Sequence, residues 1–323
     1  MYRRFGMLTQ NCSRLTRGVV FSHAIDFASD RLIVILKVKG IIMKRIIVLA
    51  PLCVVLAACG GGGGASNTFS SFVRPSVSGT TPTNIINNGI SNEANYTSGS
   101  GVIRVSDLQK GQTGAQASIR YDANDDFSTL TLTTAGGVTL SWAAATDSGA
   151  LTPTERQNFT RLINPFTLGW RYQTFGIWAS SRLDKIGGYS IGAPTSGSGV
   201  PTAGSALYRG QTLGLYNDAS GDGRVTASNL MAQANYASRT IAVSSSGTVY
   251  TSDSTPNNDL NFSGAMSYSA AANDLTGSFT TTSGLNGTMK GQFYGPAAEE
   301  LGGTFSTNNA GLQVYLGAFG AKK

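Results

Sequence analysis

The 323-residue chain carries 24 Lys and Arg against 17 Asp and Glu, one histidine and three cysteines. Nine of the basic residues but only two acids, Asp26 and Asp30, precede Cys59, so from Cys59 onward the two signs balance at 15 each and the net charge is zero. His23, Cys12 and Cys53 also precede it. The remainder therefore offers no imidazole and no thiol beyond Cys59, which excludes Ser/His/Asp or Cys/His nucleophilic catalysis, His- or Cys-built zinc sites and His-ligated haem, while the lost basicity removes the case for a nucleic-acid partner.

Residues 1–42 lack leader logic and read as an extension of the reading frame upstream of Met43. Residues 43–58 read as a lipoprotein signal peptide: Lys44 and Arg45 form the charged start, Ile46 to Leu56 the apolar stretch, and Leu56-Ala57-Ala58-Cys59 the cleavage motif that leaves Cys59 as an acylated N-terminus. The apolar stretch falls short of the roughly 20 residues that a membrane-crossing helix needs, and Gly60 to Gly64 end it. Residues 59–100 begin with that glycine run and continue in Ser, Thr, Asn and Pro, the composition of a flexible tether.

Residues 101–197 read as a small β domain. Gly101 to Leu108, Ala117 to Tyr121, Thr129 to Thr134 and Val138 to Ala143 are strand segments between Gly and Asp turns. Thr152-Pro153-Thr154-Glu155 has the form of a helix start, with Phe159, Leu162 and Ile163 as its apolar face and Asn164-Pro165 as its stop. Leu168 to Arg182 is an aromatic-rich strand. Trp142, Trp170 and Trp178 are expected in the core of this domain, and Ser190 to Gly204 is either a binding loop or a connector.

Residues 198–323 contain eight strand candidates: Ser205 to Asn217, Arg224 to Ala237, Arg239 to Ser245, Asp259 to Ser269, Asp274 to Thr282, Leu285 to Tyr294, Leu301 to Thr307 and Leu312 to Ala321. In the sixth, Leu285, Gly287, Met289, Gly291 and Phe293 oppose Asn286, Thr288, Lys290, Gln292 and Tyr294, and the fourth and fifth alternate likewise. Eight antiparallel strands with one apolar face predict a closed barrel whose interior side chains fill it. The other face is Asn, Ser, Thr, Lys and Gln, the reverse of a lipid-facing barrel. Phe262, Met266, Phe279, Met289 and Phe293 are expected to pack that interior, leaving partner contacts to loops, including Ser190 to Gly204, and to the edge of the preceding domain.

Other signals are weaker. Tyr208, Tyr216, Tyr250, Tyr268, Tyr294 and Tyr315 are possible haem ligands, although tyrosines in strands are usually packing residues. Asn217 to Gly223 and Asp122 to Asp126 cluster carboxylates without the full spacing of a calcium loop, so Asx turns are the expectation and no metal or cofactor is assigned. Glu299 and Glu300 are adjacent acids that point apart, which argues against a general acid/base pair. A carboxylate pair assembled from separate strands, as in a hydrolase, remains the alternative chemistry.

The densest motif is Gly291-Gln292-Phe293-Tyr294-Gly295-Pro296-Ala297-Ala298-Glu299-Glu300-Leu301-Gly302-Gly303-Thr304-Phe305, read as a strand, a proline-started helical turn, a reversal at Gly302-Gly303 and a second strand. Together with Leu316-Gly317-Ala318-Phe319-Gly320-Ala321-Lys322-Lys323, with Phe175-Gly176-Ile177-Trp178 and with Pro201 to Gly210, it resembles the transferrin-binding-protein-B-like surface lipoproteins from about Tyr172 to the C-terminus. The resemblance implies an eight-stranded barrel after a strand-rich handle domain, lipid-tethered to the outer membrane and displayed at the cell surface. It also implies binding of a protein or solute ligand rather than catalysis, in iron or haem acquisition, and partnership with an export machinery for surface lipoproteins. Best-known members have two handle-and-barrel lobes, whereas this chain has room for one. A haem or small-ligand carrier using the barrel interior is the alternative reading.

Lipidation has a direct check. Labelled palmitate should enter the wild-type protein and not Cys59→Ala, and equal labelling of the two would overturn the assignment.

Overall fold

The computed structural model describes residues 84–100, 102–121, 127–143, 158–162 and 171–323, together with two short strands, β1 (Lys37–Val38) and β2 (Ile41–Ile42), which pair antiparallel within the N-terminal unit. The signal peptide, Cys59, Trp170 and Asp122 to Asp126 lie outside the described residues.

The handle is one seven-stranded antiparallel sheet. Its strands are β3 (Asn84–Gly99), β4 (Val102–Tyr121), β5 (Phe127–Thr133), β6 (Thr139–Ala143), β7 (Asn158–Leu162), β8 (Gln173–Ser180) and β9 (Lys185–Gly192), in the order β6-β5-β4-β3-β9-β8-β7. Three sequence expectations are corrected here. Residues 84–99, assigned to the tether, form β3, which lies between β4 and β9. Gly101 to Leu108 and Ala117 to Tyr121 fuse into the single long strand β4: Gly114, at φ 107°, sits where the β3–β4 register slips, so it makes a bulge and not a turn. Within the expected helix, residues 158–162 are extended and pair with Gly176 to Ser180 of β8. Pairing gives the backbone of β8 a second partner strand, which an isolated amphipathic helix could not supply. The rest of that helix falls outside the described residues.

Alternate residues of the handle sheet go to opposite faces. On one face Phe175 and Ile177 pack on Leu213 and Ala318 of the barrel. On the other, Trp178, Tyr189 and Ile191 join Ala115, Ala117, Leu130 and Leu132 in a core of the handle's own, which fulfils the expectation for Trp178.

The barrel comprises β10 (Ser205–Asn217), β11 (Gly223–Asn235), β12 (Thr240–Tyr250), β13 (Phe262–Ser267), β14 (Leu275–Thr281), β15 (Asn286–Tyr294), β16 (Glu300–Thr307) and β17 (Val314–Lys322), each antiparallel to the next, with β17 closing on β10. All five residues expected inside it are buried, in one cluster with Tyr208, Phe305, Tyr315 and Phe319. Phe262 and Phe279 lie 5.1 Å apart, Phe305 and Tyr315 4.9 Å, and Phe293 receives Tyr268 edge-on at 5.6 Å. Such tilted and edge-on pairs suit the ring quadrupole. Gly287 is the seat for one of these rings: a Cβ there would come within 2.3 Å of Phe279. Among the described residues no helix is long and apolar enough to cross a membrane.

Truncating Phe293, fully buried at the contact of three tyrosine rings, should cost about 3–5 kcal/mol. Thr276→Ala on the exposed face should stay within about 0.5 kcal/mol. Urea unfolding of the two variants checks the difference, and equal costs would contradict a packed interior.

Candidate functional site

The two acids of the recognised motif, Glu299 and Glu300, take different backbone partners. Gly295 to Ala298 form the turn, with Gly295 at φ 92° and Ala298 at φ 57°, and Gly302-Gly303, expected as a reversal, run straight within β16. The reason is proximity. A Cβ on Gly302 would stand 2.0 Å from Oε1 of Gln173 and 2.4 Å from the hydroxyl of Ser190, so only a bare backbone lets the handle approach.

Glu300 is buried in the seam between handle and barrel. Its carboxylate accepts the backbone N–H groups of Arg171 (2.6 Å), Tyr172 (3.1 Å) and Gln173 (2.9 Å), the three residues that lead the chain into β8. Glu299 instead accepts the N–H of Ala297 on the turn. The neighbouring acids therefore have separate structural tasks. Gln173 donates to the carbonyls of Leu301 (2.6 Å) and Ala321 (3.4 Å), while its own oxygen accepts Ser190 Oγ, and Tyr294 donates its hydroxyl to the Ser190 carbonyl at 2.9 Å. A second stitch comes from Asn92 of β3, which donates to the Phe305 carbonyl at 2.9 Å and accepts the Gly188 N–H at 2.7 Å.

The segment Ser190 to Gly204, read as a binding loop or a connector, joins handle to barrel, with Ser196, Ser198 and Thr202 to Gly204 exposed. Ser190 to Gly192 belong to β9. Ala193 and Thr195 exchange backbone hydrogen bonds with Gly295 and Phe293, the Thr195 hydroxyl donates to the Gly295 carbonyl at 2.6 Å, and Val200 enters the barrel core. Asn273 locks the arrangement by donating to both Thr195 and Phe293 carbonyls and accepting the Phe293 N–H. Ala193 to Thr195 are thus pinned to the barrel end by backbone and side-chain hydrogen bonds.

The tyrosines singled out as haem ligands are mostly committed to packing. Tyr208 shares a hydrogen bond with Tyr236 at 2.7 Å and donates to the Ala298 carbonyl, and burial pushes its phenol far above the usual value. Burial also raises Tyr294, Tyr268 and Tyr315, the last to about 12, so these phenols stay protonated at neutral pH and are poor anionic ligands. Tyr250 accepts from Asn257 and carries the Arg224 guanidinium over its ring, and Tyr216 meets Tyr315 edge-on. With large side chains filling the barrel, a ligand held inside it has no support from the packing. At the Asn217 to Gly223 loop, one Asp218 oxygen accepts the N–H groups of Ser220 and Asp222 and the Ser220 hydroxyl, which is an Asx turn. Among the described residues no group of three or more His, Cys, Asp or Glu could hold a metal.

Two apolar side chains, missed in the sequence because they sit on the polar face of their strands, are exposed on the barrel wall: Leu207 at 42% and Met231 at 45%. The register sets Arg209 directly opposite Met231 and Leu207 opposite Gln233, so the three form one patch on β10 and β11. Their break in the alternation is the signal that could have found them.

Removing the Glu300 side chain should leave the backbone N–H groups of Arg171, Tyr172 and the buried Gln173 without their acceptor and cost about 2–4 kcal/mol. Burial, the dominant effect, raises the Glu300 carboxyl above its ordinary value of 4.5, against the lowering influence of the three hydrogen bonds and Lys322. A folded value above the unfolded one means that the contribution is full below the unfolded value and declines as pH rises through the folded one. Wild type should therefore exceed Glu300→Gln in unfolding free energy by more at about pH 4 than at about pH 7. A difference that grows toward pH 7 would refute this.

With this geometry in place, residues 200–323 match the family described as C-lobe and N-lobe beta barrels of Tf-binding protein B. No curated protein sequence matches the chain. Among solved structures, Transferrin Binding Protein B mutants from Haemophilus parasuis Hp5 and Actinobacillus pleuropneumoniae H49 share 16% and 14% identity, with TM-scores of 0.38 and 0.44. The first match covers 69% of this chain and 54% of that one, and the second covers 72% and 98%. The isotype 1 protein from serogroup B Neisseria meningitidis shares 16% identity over 69% of this chain and 52% of its own, at a TM-score of 0.40. The chain thus spans about half the length of the first of these proteins, and the assignment rests on the barrel match. Residues 200–323 match the model of the Tf-binding protein B barrels, and the described residues form one TbpB-like handle and barrel.

Proposed function

We propose that this protein is an outer-membrane lipoprotein, anchored by lipid at Cys59 and displayed at the cell surface, that captures a protein ligand in iron or haem acquisition. The observation that carries the reading is the packed barrel: an interior filled by Phe262, Phe279, Phe293, Phe305 and their neighbours leaves binding to the outer surface. The family whose model the barrel matches is described by a protein that binds transferrin, which favours a protein partner. On that outer surface, the patch of Leu207, Arg209 and Met231 has the character of a recognition centre, with exposed apolar side chains beside an arginine. Binding rather than catalysis is favoured because Glu299 and Glu300 are engaged with backbone and lack an acid/base partner.

The test uses protein that begins before Asn84, since a start at Gly101 would remove β3 from the middle of the handle sheet. Bound to resin and exposed to host serum, it should retain a discrete protein, and Leu207→Glu with Met231→Glu should lower retention at least about tenfold while the melting temperature holds. A stoichiometric Soret shift on haem titration, with no protein retained, would support the haem-carrier alternative instead. Protease treatment of intact cells that spares the handle and barrel would contradict surface display.

A further inference from the structure

We infer that the outer patch on β10 and β11 takes an acidic polypeptide segment of its partner, one in which carboxylates alternate with aliphatic side chains. The inference rests on the reading of that patch as the recognition centre and names the chemistry of what it recognises. Arg209 stands opposite Met231 across the β10–β11 ladder and Leu207 opposite Gln233, so the apolar pair lies on one diagonal of a square and the guanidinium and amide lie on the other. Opposed side chains in such a ladder are about 5 Å apart, and successive ones on one face of a strand about 7 Å. A segment laid along either strand therefore meets an apolar and a polar side chain in turn.

The sign of the partner follows from a segregation of charge. Residues 201–217, 223–252 and 301–323, which include β10, β11, β12 and β17, contain no Asp or Glu, yet they carry Arg209, Arg224, Arg239, Lys322 and Lys323. From Cys59 onward the chain is neutral, so this cationic face is a local feature and not a general excess. At the far end of the ladder Arg224 is matched by Asp253 at 3.2 Å. Beside the patch, Lys322 is the β17 neighbour of Arg209, and Glu300 on its other flank is buried and accepts three backbone N–H groups. Arg239 is exposed in the β11–β12 hairpin, at the same end of the barrel as Leu207. Arg209 itself is exposed and makes no ion pair among the described residues. An exposed guanidinium fork flanked by apolar side chains fits a carboxylate, and the apolar contacts exclude water from the pair they surround. An anionic lipid surface fits less well. Asn229 and Gln233 are exposed on the same face and would lose water against acyl chains, whereas a polypeptide brings N–H and C=O groups to their amides.

Met231 reports directly on the patch, since Met266 and Met289 are buried in the barrel core. The full chain, labelled with carbon-13 at the methionine methyls and with the Met231 signal assigned by Met231→Leu, is titrated with a short capped peptide of alternating glutamate and valine. The Met231 signal should move to saturation while those of Met266 and Met289 stay in place, and the same peptide with lysine in place of glutamate should leave all three unmoved. Arg209→Gln should weaken the binding about tenfold, and added salt should weaken binding to the wild type. Equal responses to the acidic and basic peptides, undiminished binding to Arg209→Gln, or no response to the acidic peptide would each overturn the inference, as would a Met231 response to phosphatidylglycerol vesicles without one to the peptide. Serum retention separates this failure from that of the recognition reading. Retention that is lost in Leu207→Glu with Met231→Glu, beside a silent peptide titration, overturns only the acidic partner, whereas retention that survives those substitutions overturns the recognition reading and this inference with it.

Discussion

The buried polar seam between handle and barrel is the constraint on which the rest of this structure depends. Apolar contact alone, such as Phe175 and Ile177 on Leu213 and Ala318, would hold two sheets together without fixing their register. Glu300, Gln173 and Asn92 fix it, because each reaches across the seam to named backbone groups. A displacement of one residue along either sheet would leave a carboxylate, two amides and several N–H groups buried without partners, and an unsatisfied buried group costs more than a formed hydrogen bond contributes.

The seam also explains the composition of the strands that meet there. β16 presents Gly302 to Gln173 and Ser190, and β9 presents Gly188 to the Gly317 carbonyl of β17, because groups from the facing sheet occupy the space that a Cβ would take. Inside the barrel the same logic serves aromatic rings, with Gly287 placed against Phe279. Glycine here sets packing distance. The barrel interior is filled by packed rings, and Ala193 to Thr195 are pinned to the barrel end by hydrogen bonds.

The seam around Asn217 and the outer patch are both places where apolar side chains are incompletely covered. Around Asn217, the hairpin between β3 and β4 reaches the barrel through the Ile103 N–H on the Gly221 carbonyl but leaves apolar side chains half-covered. At Leu207 and Met231, apolar side chains stand exposed on the outer face of the barrel among polar neighbours such as Arg209 and Gln233. Both places depart from the rule that sequence pattern and burial agree, and such departures concentrate where a protein meets something else.

The sequence by itself determined the barrel: a period of two over eight segments dictates which side chains enter the interior, and the large ones among them must fill it. Its final motif pointed to the family for the same local reason, since turn, proline and glycine positions are fixed within a few residues of one another. Tertiary structure alone decided the role of β3, whose Asn87, Ser91, Asn92 and Glu93 read as a polar linker yet are all buried. Glu93 is matched there by Lys185 at 2.9 Å and by the Thr134 hydroxyl at 2.6 Å, and Ser91 accepts the Ala135 N–H. Those partners lie tens of residues away. A polar side chain carries no mark in the sequence of whether water or a distant backbone group will satisfy it, so the strand, the task of Glu300 and the pinned connector became legible only once the chain had brought their partners together.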